Sequence, residues 1–207
     1  MRYEWIDEYL LSKRSVTKEL QKDWNWMCYK IGNKMFAAVL LDYQNVPYYI
    51  NLKLEPEEGA FLREQYTDIV PGYYSNKQHW NSVKPDGAVP DDLLKDMLDK
   101  SYRLVLSGFS KKRQREILGL SCCGTDCNSC ACYGSLCQGC NAVGGKVFHS
   151  PKGCPIYSCS VNKNKFASCA ACDKLPCDIW RSTRDPKYSD EEFEASIQER
   201  VRNLITI

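Results

Sequence analysis

The sequence predicts an α+β fold for the first half of the chain and a small cysteine-rich domain for the second half. Three observations lead to this prediction. The first half mixes amphipathic helical stretches with short β-like runs, the cysteines crowd into the second half, and the composition is that of a soluble globular protein. The chain has 207 residues, of which 43% are hydrophobic and 26% charged. That length accommodates one large domain or two small ones.

The cysteines indicate the domain boundary. Of the 13 cysteines only Cys28 precedes residue 122, and the others lie between Cys122 and Cys177. We therefore expect an α+β domain over residues 1–118 and a cysteine-rich domain over residues 119–207. Charge does not separate the two, because the first part has 18 Lys+Arg against 17 Asp+Glu and the second has 10 against 9. A net charge of +2 excludes a grossly basic nucleic-acid scavenger and still permits a local basic patch.

The elements of the first domain follow from apolar spacing. An amphipathic helix is predicted over residues 2–11, and a polar stretch rich in Lys, Ser and Thr follows it. Gly32-Asn33 separates two β-like runs, which favours a hairpin. The remaining predictions are strands at 24–31, 34–41, 47–54, 68–70 and 79–83, and helices at 56–66 and 90–106. This order favours an antiparallel sheet with helices on one face.

Four separated motifs in this half resemble a known family. They are Lys34-Met35-Phe36-Ala37, Asn51-Leu52-Lys53 with Pro56-Glu57, Ile69-Val70-Pro71-Gly72-Tyr73 with Asn76-Lys77-Gln78-His79-Trp80-Asn81, and Ser101-Tyr102-Arg103-Leu104-Val105. In this order they are similar to the MmcQ/YjbR family and cover most of residues 1–118. The resemblance implies a frataxin-like (CyaY-like) α+β fold. It also implies DNA binding.

Nucleic-acid binding requires cations on one face to neutralise phosphates, and exposed aromatic rings on which bases stack. Tyr73 and Tyr74 are further aromatic candidates. The alternative is that Trp80 and Tyr102 belong to the core and the lysines form a solvated face, since a near-neutral chain lacks the usual electrostatic footprint. The candidate nucleic-acid-binding residues are Lys34, Lys53, Lys77, His79, Trp80, Lys111, Lys112, Arg113 and Arg115.

Catalysis is not predicted. The chain has two histidines, so a histidine-based triad has few ways to form. Gly144-Gly145-Lys146 lacks the other residues of a phosphate-binding loop. Cys28, alone in an aromatic stretch, is predicted to be a buried hydrophobic residue.

The cysteine spacing of the second half predicts metal binding. Three Cys-x-x-Cys pairs occur within a short stretch: Cys127/Cys130, Cys137/Cys140 and Cys169/Cys172. Each pair brings two thiolates to one ion, and two pairs complete a tetrahedral site. The first residues, Met1 to Glu8, carry acids where a signal peptide would be apolar, so we expect a cytoplasmic chain with reduced thiols. Disulfides are the competing explanation.

Zinc is the favoured metal because the cysteine-rich stretch has few apolar residues and metal binding would supply its folding free energy. An iron–sulfur cluster is the alternative, since cysteine thiolates also hold such clusters. The ferredoxin spacing fails after Cys130, however, because Cys132 follows it too closely. Cys154-Pro155 matches the end of that motif only superficially.

Residues 122–180 resemble a cysteine-rich family known as domain of unknown function 3795. The resemblance is carried by Cys123-Gly124-Thr125-Asp126-Cys127-Asn128-Ser129-Cys130 with Tyr133, by the later cysteine pairs, and by Leu175-Pro176-Cys177. It implies a small zinc module. Cys122 and Cys132 are additional to the family pattern, and they and His149 stay open as further ligands. The ligands that the resemblance implies are Cys123, Cys127, Cys130, Cys137, Cys140, Cys154, Cys159, Cys169, Cys172 and Cys177.

The tail from Ser189 to Ile207 is predicted to be a helix with a capping start and an apolar stripe of Phe193, Ile197, Val201 and Leu204. We expect the stripe to pack within the chain, and a dimer interface is the alternative. Together these patterns predict a cytoplasmic, non-enzymatic protein that binds DNA or RNA and has no membrane segment. An iron–sulfur redox protein and a protein–protein adaptor that docks through the zinc module are the alternative functions.

Overall fold

The computed structural model describes residues 1–205 and divides into two compact units, which meet in sequence between Phe109 and Ser110. The basic run at 111–115, which the sequence placed at the end of the first domain, therefore belongs to the second unit. None of the helices within residues 1–205 is long and apolar enough to cross a lipid bilayer.

The first unit is built on a six-stranded antiparallel sheet with the strand order β1-β2-β3-β4-β6-β5. The α+β prediction is confirmed at this level. Strand β1 was missed, because its sequence Val-Thr-Lys-Glu-Leu-Gln is polar and its residues lie exposed at the sheet edge. The strands are β1 (Val16–Gln21), β2 (Trp26–Ile31), β3 (Lys34–Leu41), β4 (Pro47–Lys53), β5 (Ile69–Pro71) and β6 (Trp80–Val83).

The predicted hairpin between β2 and β3 is confirmed. The two strands pair antiparallel, and Ile31 lies opposite Lys34. Gly32 and Asn33 both have positive φ, at 54° and 68°. This is the backbone of a tight turn whose twist matches that of the flanking strands.

Three helices accompany the sheet: α1 (Ile6–Ser12), α2 (Pro56–Gln65) and α3 (Asp91–Ser107). The α1 helix begins later than predicted. The Tyr102 ring of α3 packs edge-on against Phe36 at 5.5 Å, and the Ser101 Oγ donates to the carbonyl oxygen of Phe36. Ser101 also accepts a hydrogen bond from the backbone N–H of Lys53 at 2.7 Å. One buried hydroxyl thus joins α3 to two adjacent strands.

The opposite face of the sheet carries a second apolar cluster. Trp26, Cys28, Ala38 and Leu40 are buried there, and Met35, Tyr48 and Tyr49 pack against them. Cys28 is 2% exposed, which confirms its prediction as a buried hydrophobic residue. Both faces of the sheet are therefore apolar at the centre. This explains why β3 is a continuous apolar run, since its residues are buried on both sides.

The second unit has little regular structure. Its helices are α4 (Lys111–Ile117), α5 (Pro155–Tyr157), α6 (Asp178–Arg181) and α7 (Asp190–Ile205). A π-helical turn at Ser158–Lys163 continues from α5, and a 3₁₀ turn covers Cys169–Ala171. The rest consists of turns.

The predicted tail helix packs within this unit. Phe193, Ile197 and Leu204 of α7 form a core with Ile156, Cys169 and Trp180. The helix has the predicted capping start: Ser189 Oγ accepts from the backbone N–H of Glu192, and the Glu192 carboxylate accepts from that of Ser189. The predicted residues 206–207 of this helix lie outside the described residues. The intramolecular partner of the apolar stripe is thus confirmed.

Candidate functional site

The first unit presents a cluster of four tyrosine rings. Tyr48 and Tyr49 come from β4, and Tyr73 and Tyr74 come from the loop between β5 and β6. Ring centroids lie 5.3 Å apart for Tyr49 and Tyr73 and 4.5 Å apart for Tyr73 and Tyr74. Tyr73 is 41% exposed and Tyr74 is 82% exposed. We call these four residues the tyrosine cluster.

An irregularity in the sheet allows two consecutive residues of β4 to contribute to the cluster. The β3–β4 register shifts between Leu40 and Leu41, so that Tyr49 pairs with Leu40 while Pro47 pairs with Leu41. Tyr48 is the extra residue, and its ring lies 5.6 Å from that of Tyr49. A β-bulge re-aims side chains in this way, whereas a regular strand would send consecutive residues to opposite faces.

A buried polar network anchors the loop half of the cluster. The Asn51 side chain donates to the carbonyl oxygen of Tyr73 at 3.2 Å, and Ser82 Oγ accepts from the backbone N–H of Tyr73 at 2.8 Å. Ser82 in turn donates to Asn51 Oδ1 at 2.6 Å. Both polar side chains are fully buried. The loop backbone is thereby held to β4 and β6 while its rings face outward.

Tyr74 has a φ of 49°, which a bulky residue adopts at a cost of about 1–3 kcal/mol. Backbone strain of this kind is typical of residues whose position matters for binding. A hydrogen bond with Tyr74 raises the pKa of Tyr73, since it favours the protonated hydroxyl.

Two of the predicted cationic residues, Lys34 and Lys53, are close enough for their charges to interact. Lys53 Nζ lies 5.1 Å from the centre of the Trp80 ring, and Lys34 Nζ lies 4.3 Å from that of Phe109. Burial and the nearby Lys34 charge lower the pKa of Lys53. The two like charges create a positive potential that an anion would relieve. Trp80 itself is 8% exposed, so it supports Lys53 and belongs to the core.

The other nucleic-acid candidates are distributed differently. Lys77 is exposed and His79 half-buried in the same loop as Tyr74. The four candidates at 111–115 lie on α4 of the second unit, where Lys112 is exposed and Arg113 pairs with Glu116 at 3.1 Å. Arg115 is 4% exposed and donates to the carbonyl oxygen of Ala167 at 2.6 Å. Its guanidinium is therefore used inside the second unit.

The thiols of the second unit gather around two centres. At the first, Cys122 and Cys140 are buried with Val147 and Tyr157, and Cys137 and Cys154 pack against them. A hydrogen bond from Cys122 lowers the pKa of the Cys140 thiol to about 7 and raises that of Cys122. Burial, followed by the charges of Cys140, Cys123, Cys137 and Cys130, raises the pKa of Cys127 to about 12.

At the second centre, Cys169 lies in the α7 core, and Cys123, Cys154 and Cys177 pack against that core. Burial raises the pKa of Cys169, and the nearby Cys123 and Cys177 raise it further. Helix α7 holds the chain at this point: Arg200 Nε donates to the carbonyl oxygen of Cys123 at 3.2 Å, and Asn203 donates to that of Gly124 at 2.9 Å.

The thiols do not form a complete metal-binding site within the described residues. No three His, Cys, Asp or Glu side chains within residues 1–205 are spaced to hold a metal ion. Cys130 is exposed, and Cys132 is near Cys130 and Cys137. Cys172 closes the 3₁₀ turn that begins at Cys169. Cys159 Sγ accepts a hydrogen bond from Asn164 Nδ2 at 3.5 Å. His149 is exposed.

Three residues of these sites were not predicted from the sequence as site residues. The sequence assigned Tyr48 and Tyr49 only to a strand. The β-bulge that brings their rings together depends on how β3 pairs with β4, and the sequence of β4 alone does not indicate it. Cys122 was additional to the family pattern, although the structure brings it against Cys140.

The known proteins that are similar to this chain match its first unit. The YjbR family model matches residues 11–104. The uncharacterized protein YbdF of Escherichia coli O157:H7 is 37% identical over 89 residues, which cover 43% of this chain and 71% of YbdF. The uncharacterized protein YjbR of E. coli K12 is 28% identical over 113 residues, which cover 55% of this chain and 94% of YjbR.

A solved structure agrees with these sequences. The crystal structure of Deinococcus radiodurans protein DR2400, described as a DUF419 domain, superimposes with a TM-score of 0.50 and 34% identity. The match covers 56% of this chain and 86% of DR2400. By its N-terminal unit, this chain belongs to the YjbR family.

Proposed function

We propose that the chain is a non-enzymatic nucleic-acid-binding protein whose second unit is a structural module held by zinc–thiolate sites. The observation that carries this proposal is the tyrosine cluster. Exposed rings anchored by a buried polar network supply rigid stacking surfaces, and a stacked base contributes about 1–3 kcal/mol.

The nearby cations complete the surface. Tyr49, Asn51 and Lys53 alternate along one side of β4. At strand spacing, Tyr49 and Lys53 are about 13 Å apart, so one short single strand can contact both. The exposed Lys77 belongs to the same loop as Tyr74 and extends the positive charge. Single-stranded DNA or RNA fits this combination better than duplex, whose bases are already stacked.

Zinc is the proposed structural component of the second unit. The support is that the thiols gather at two centres, each of which includes members of the Cys-x-x-Cys pairs. A divalent cation would offset the mutual repulsion of thiolates brought together there. We assign Cys123, Cys127, Cys130, Cys137, Cys140, Cys154, Cys159, Cys169, Cys172 and Cys177 as the ligand set, with Cys122 as an added candidate. An iron–sulfur cluster is the other group that this donor set can hold.

Two finer assignments belong to the same proposal. The first unit is taken as frataxin-like, supported by its six-stranded antiparallel sheet and the three helices that accompany it. The second unit is taken as a member of domain family 3795, supported by its cysteine spacing. A cytoplasmic location follows from the requirement for reduced thiols.

The test is fluorescence anisotropy with labelled single-stranded and duplex oligonucleotides over a range of salt concentrations. We expect binding that prefers the single strand and weakens as salt rises. Tyr74→Asn removes a ring but retains a residue type that tolerates positive φ, and it should weaken binding about 10-fold or more. Lys53→Gln should weaken binding and reduce the salt slope by about one.

The matched control is Tyr43→Asn. Tyr43 is 90% exposed and lies in the turn after β3, outside the tyrosine cluster. Its removal should leave the affinity unchanged. Equal losses from Tyr43→Asn and Tyr74→Asn, or the absence of salt-sensitive binding to every oligonucleotide, would overturn the nucleic-acid proposal and favour the adaptor.

A further inference from the structure

The second unit contains an open cavity that neither the proposed zinc sites nor the proposed nucleic-acid surface uses. Its volume is about 250 Å³. Most of its wall is apolar, but two cationic side chains border it from one helix, α4. The lining residues are Lys111, Arg115, Ala167, Ser168, Ala170, Ala171 and Leu204.

Arg115 is the most unusual residue of this wall. It is 4% exposed, and its Nη2 donates to the carbonyl oxygen of Ala167. Its Nε–H is buried and has no hydrogen-bond partner among the described residues. A buried guanidinium with an unused donor is unfavourable unless an acceptor arrives, because folding has removed the water that would otherwise satisfy it.

Lys111 precedes Arg115 by four residues on α4, so the two side chains lie on the same face of the helix. Both line the cavity. Ser168 adds a hydroxyl to the same wall, while its Oγ accepts from the backbone N–H of Ala170 at 3.3 Å.

We propose that this cavity binds the phosphate group of a small phosphate ester. The guanidinium of Arg115 and the ammonium of Lys111 would hold the phosphate oxygens, because two cations match the charge of a phosphate monoester. The cavity is larger than one phosphate group, and its alanine and leucine wall suits a short organic remainder. Binding would satisfy the Arg115 Nε–H and add a ligand-dependent brace between α4 and the 3₁₀ turn.

The competing reading is purely structural. The charge of Arg115 interacts favourably with Cys122 and Cys140, so the residue could simply balance thiolates. That reading requires no ligand. It predicts that phosphate stabilises the protein no more than chloride does at the same ionic strength.

The experiment titrates the full-length, metal-loaded protein with inorganic phosphate and follows the thermal midpoint, with sodium chloride added to keep ionic strength constant. We expect saturable stabilisation, since a ligand that binds only the folded state shifts the midpoint by mass action. Lys111→Gln should weaken the fitted phosphate dissociation constant about 10-fold or more, the factor supplied by one charge-assisted hydrogen bond. Acetate in place of phosphate should stabilise less, because it carries a single charge.

Three variants make the result decisive. Arg113→Gln lies on the same helix but is 53% exposed and paired with Glu116, so it should leave phosphate stabilisation unchanged. Ala171→Leu fills the cavity and leaves Arg115 unsubstituted, and it should abolish the phosphate effect even if Arg115→Gln does not fold. Lys53→Gln should not alter the effect, which separates this site from the nucleic-acid surface. Phosphate stabilisation that survives both Lys111→Gln and Ala171→Leu, or that chloride reproduces, would overturn the proposal.

Discussion

The two units of this chain differ in what orders their backbones. The first has a six-stranded sheet and helices that bury an apolar core, so hydrogen-bond ladders satisfy most of its peptide groups. The second consists mainly of turns, and cysteines occupy many of the positions that large apolar residues would fill. Hydrophobic burial is therefore sufficient to explain the first fold, whereas the proposed zinc module makes the second fold depend on metal cross-links between its turns.

Metal removal should produce the largest contrast between the units. A strong zinc chelator should unfold the second unit while the first unit stays folded, because structural zinc supplies about 10–16 kcal/mol of apparent binding free energy. Amide resonances observed by NMR would report the two units separately. Loss of dispersion in both units, or in neither, would contradict the contrast.

Core truncation should destabilise each unit on its own. Leu52→Ala in β4 and Ile197→Ala in α7 each remove a fully buried side chain. Each should cost about 2–5 kcal/mol. Denaturant titrations that follow unit-specific probes should show the loss in the altered unit only. An equal loss in the other unit would show that the two fold as one cooperative body.

A glycine pair tests how tightly α7 holds the cysteine turns. Gly124 has a φ of +77°, and an added Cβ would lie 2.1 Å from the carbonyl oxygen of Arg200. Gly134 has a similar φ of +82° but open space around that position. Gly134→Ala should cost about 1 kcal/mol from backbone conformation alone. Gly124→Ala should cost about 1–3 kcal/mol more, because α7 must move. Equal thermal shifts for the two variants would contradict the close packing.

The smallest effect is the alkaline pH dependence that Tyr102 contributes to the stability of the first unit. Burial raises the pKa of Tyr102 from 10.0 to about 12. Below pH 10 both states keep the proton and the stability is unaffected. Between pH 10 and 12 the unfolded chain ionises and the folded one does not, so stability falls as pH rises. Tyr102→Phe should make this fall less steep without abolishing it, because burial also raises the pKa of Tyr9 and of Tyr29. The lost hydrogen bond from Tyr102 to the carbonyl oxygen of Arg14 should cost about 1 kcal/mol at neutral pH. Urea titrations at each pH measure both.

The parts of the fold that were predictable are those with strong periodicity. The α3 helix, the β2–β3 hairpin and the capped α7 helix follow from apolar spacing, a Gly-Asn turn and a capping box. Strand β1 was not predictable, because an exposed edge strand needs no apolar face and is ordered by its neighbour. Helix α4 was recognised only as a basic run.

The candidate sites were predictable by residue type and less by arrangement. Tyr73, Tyr74 and Lys53 were recognised, but the tyrosine cluster depends on a register shift that brings Tyr48 beside Tyr49. Arg115 was grouped with its basic neighbours, although helical geometry buries it while Lys112 and Arg113 face solvent. Spacing alone also could not divide the thiols between two centres, because that division depends on how distant turns pack.

The proposed zinc module predicts a defined metal content for the second unit. Elemental analysis with an absorption spectrum, on protein purified without air, measures that content. We predict about two or three zinc ions per chain and no absorbance near about 400 nm, since zinc–thiolate sites are colourless there. Iron with matching sulfide would contradict the zinc assignment and make the second unit a redox module. A metal-free protein with a folded second unit would contradict the claim that metal orders its turns.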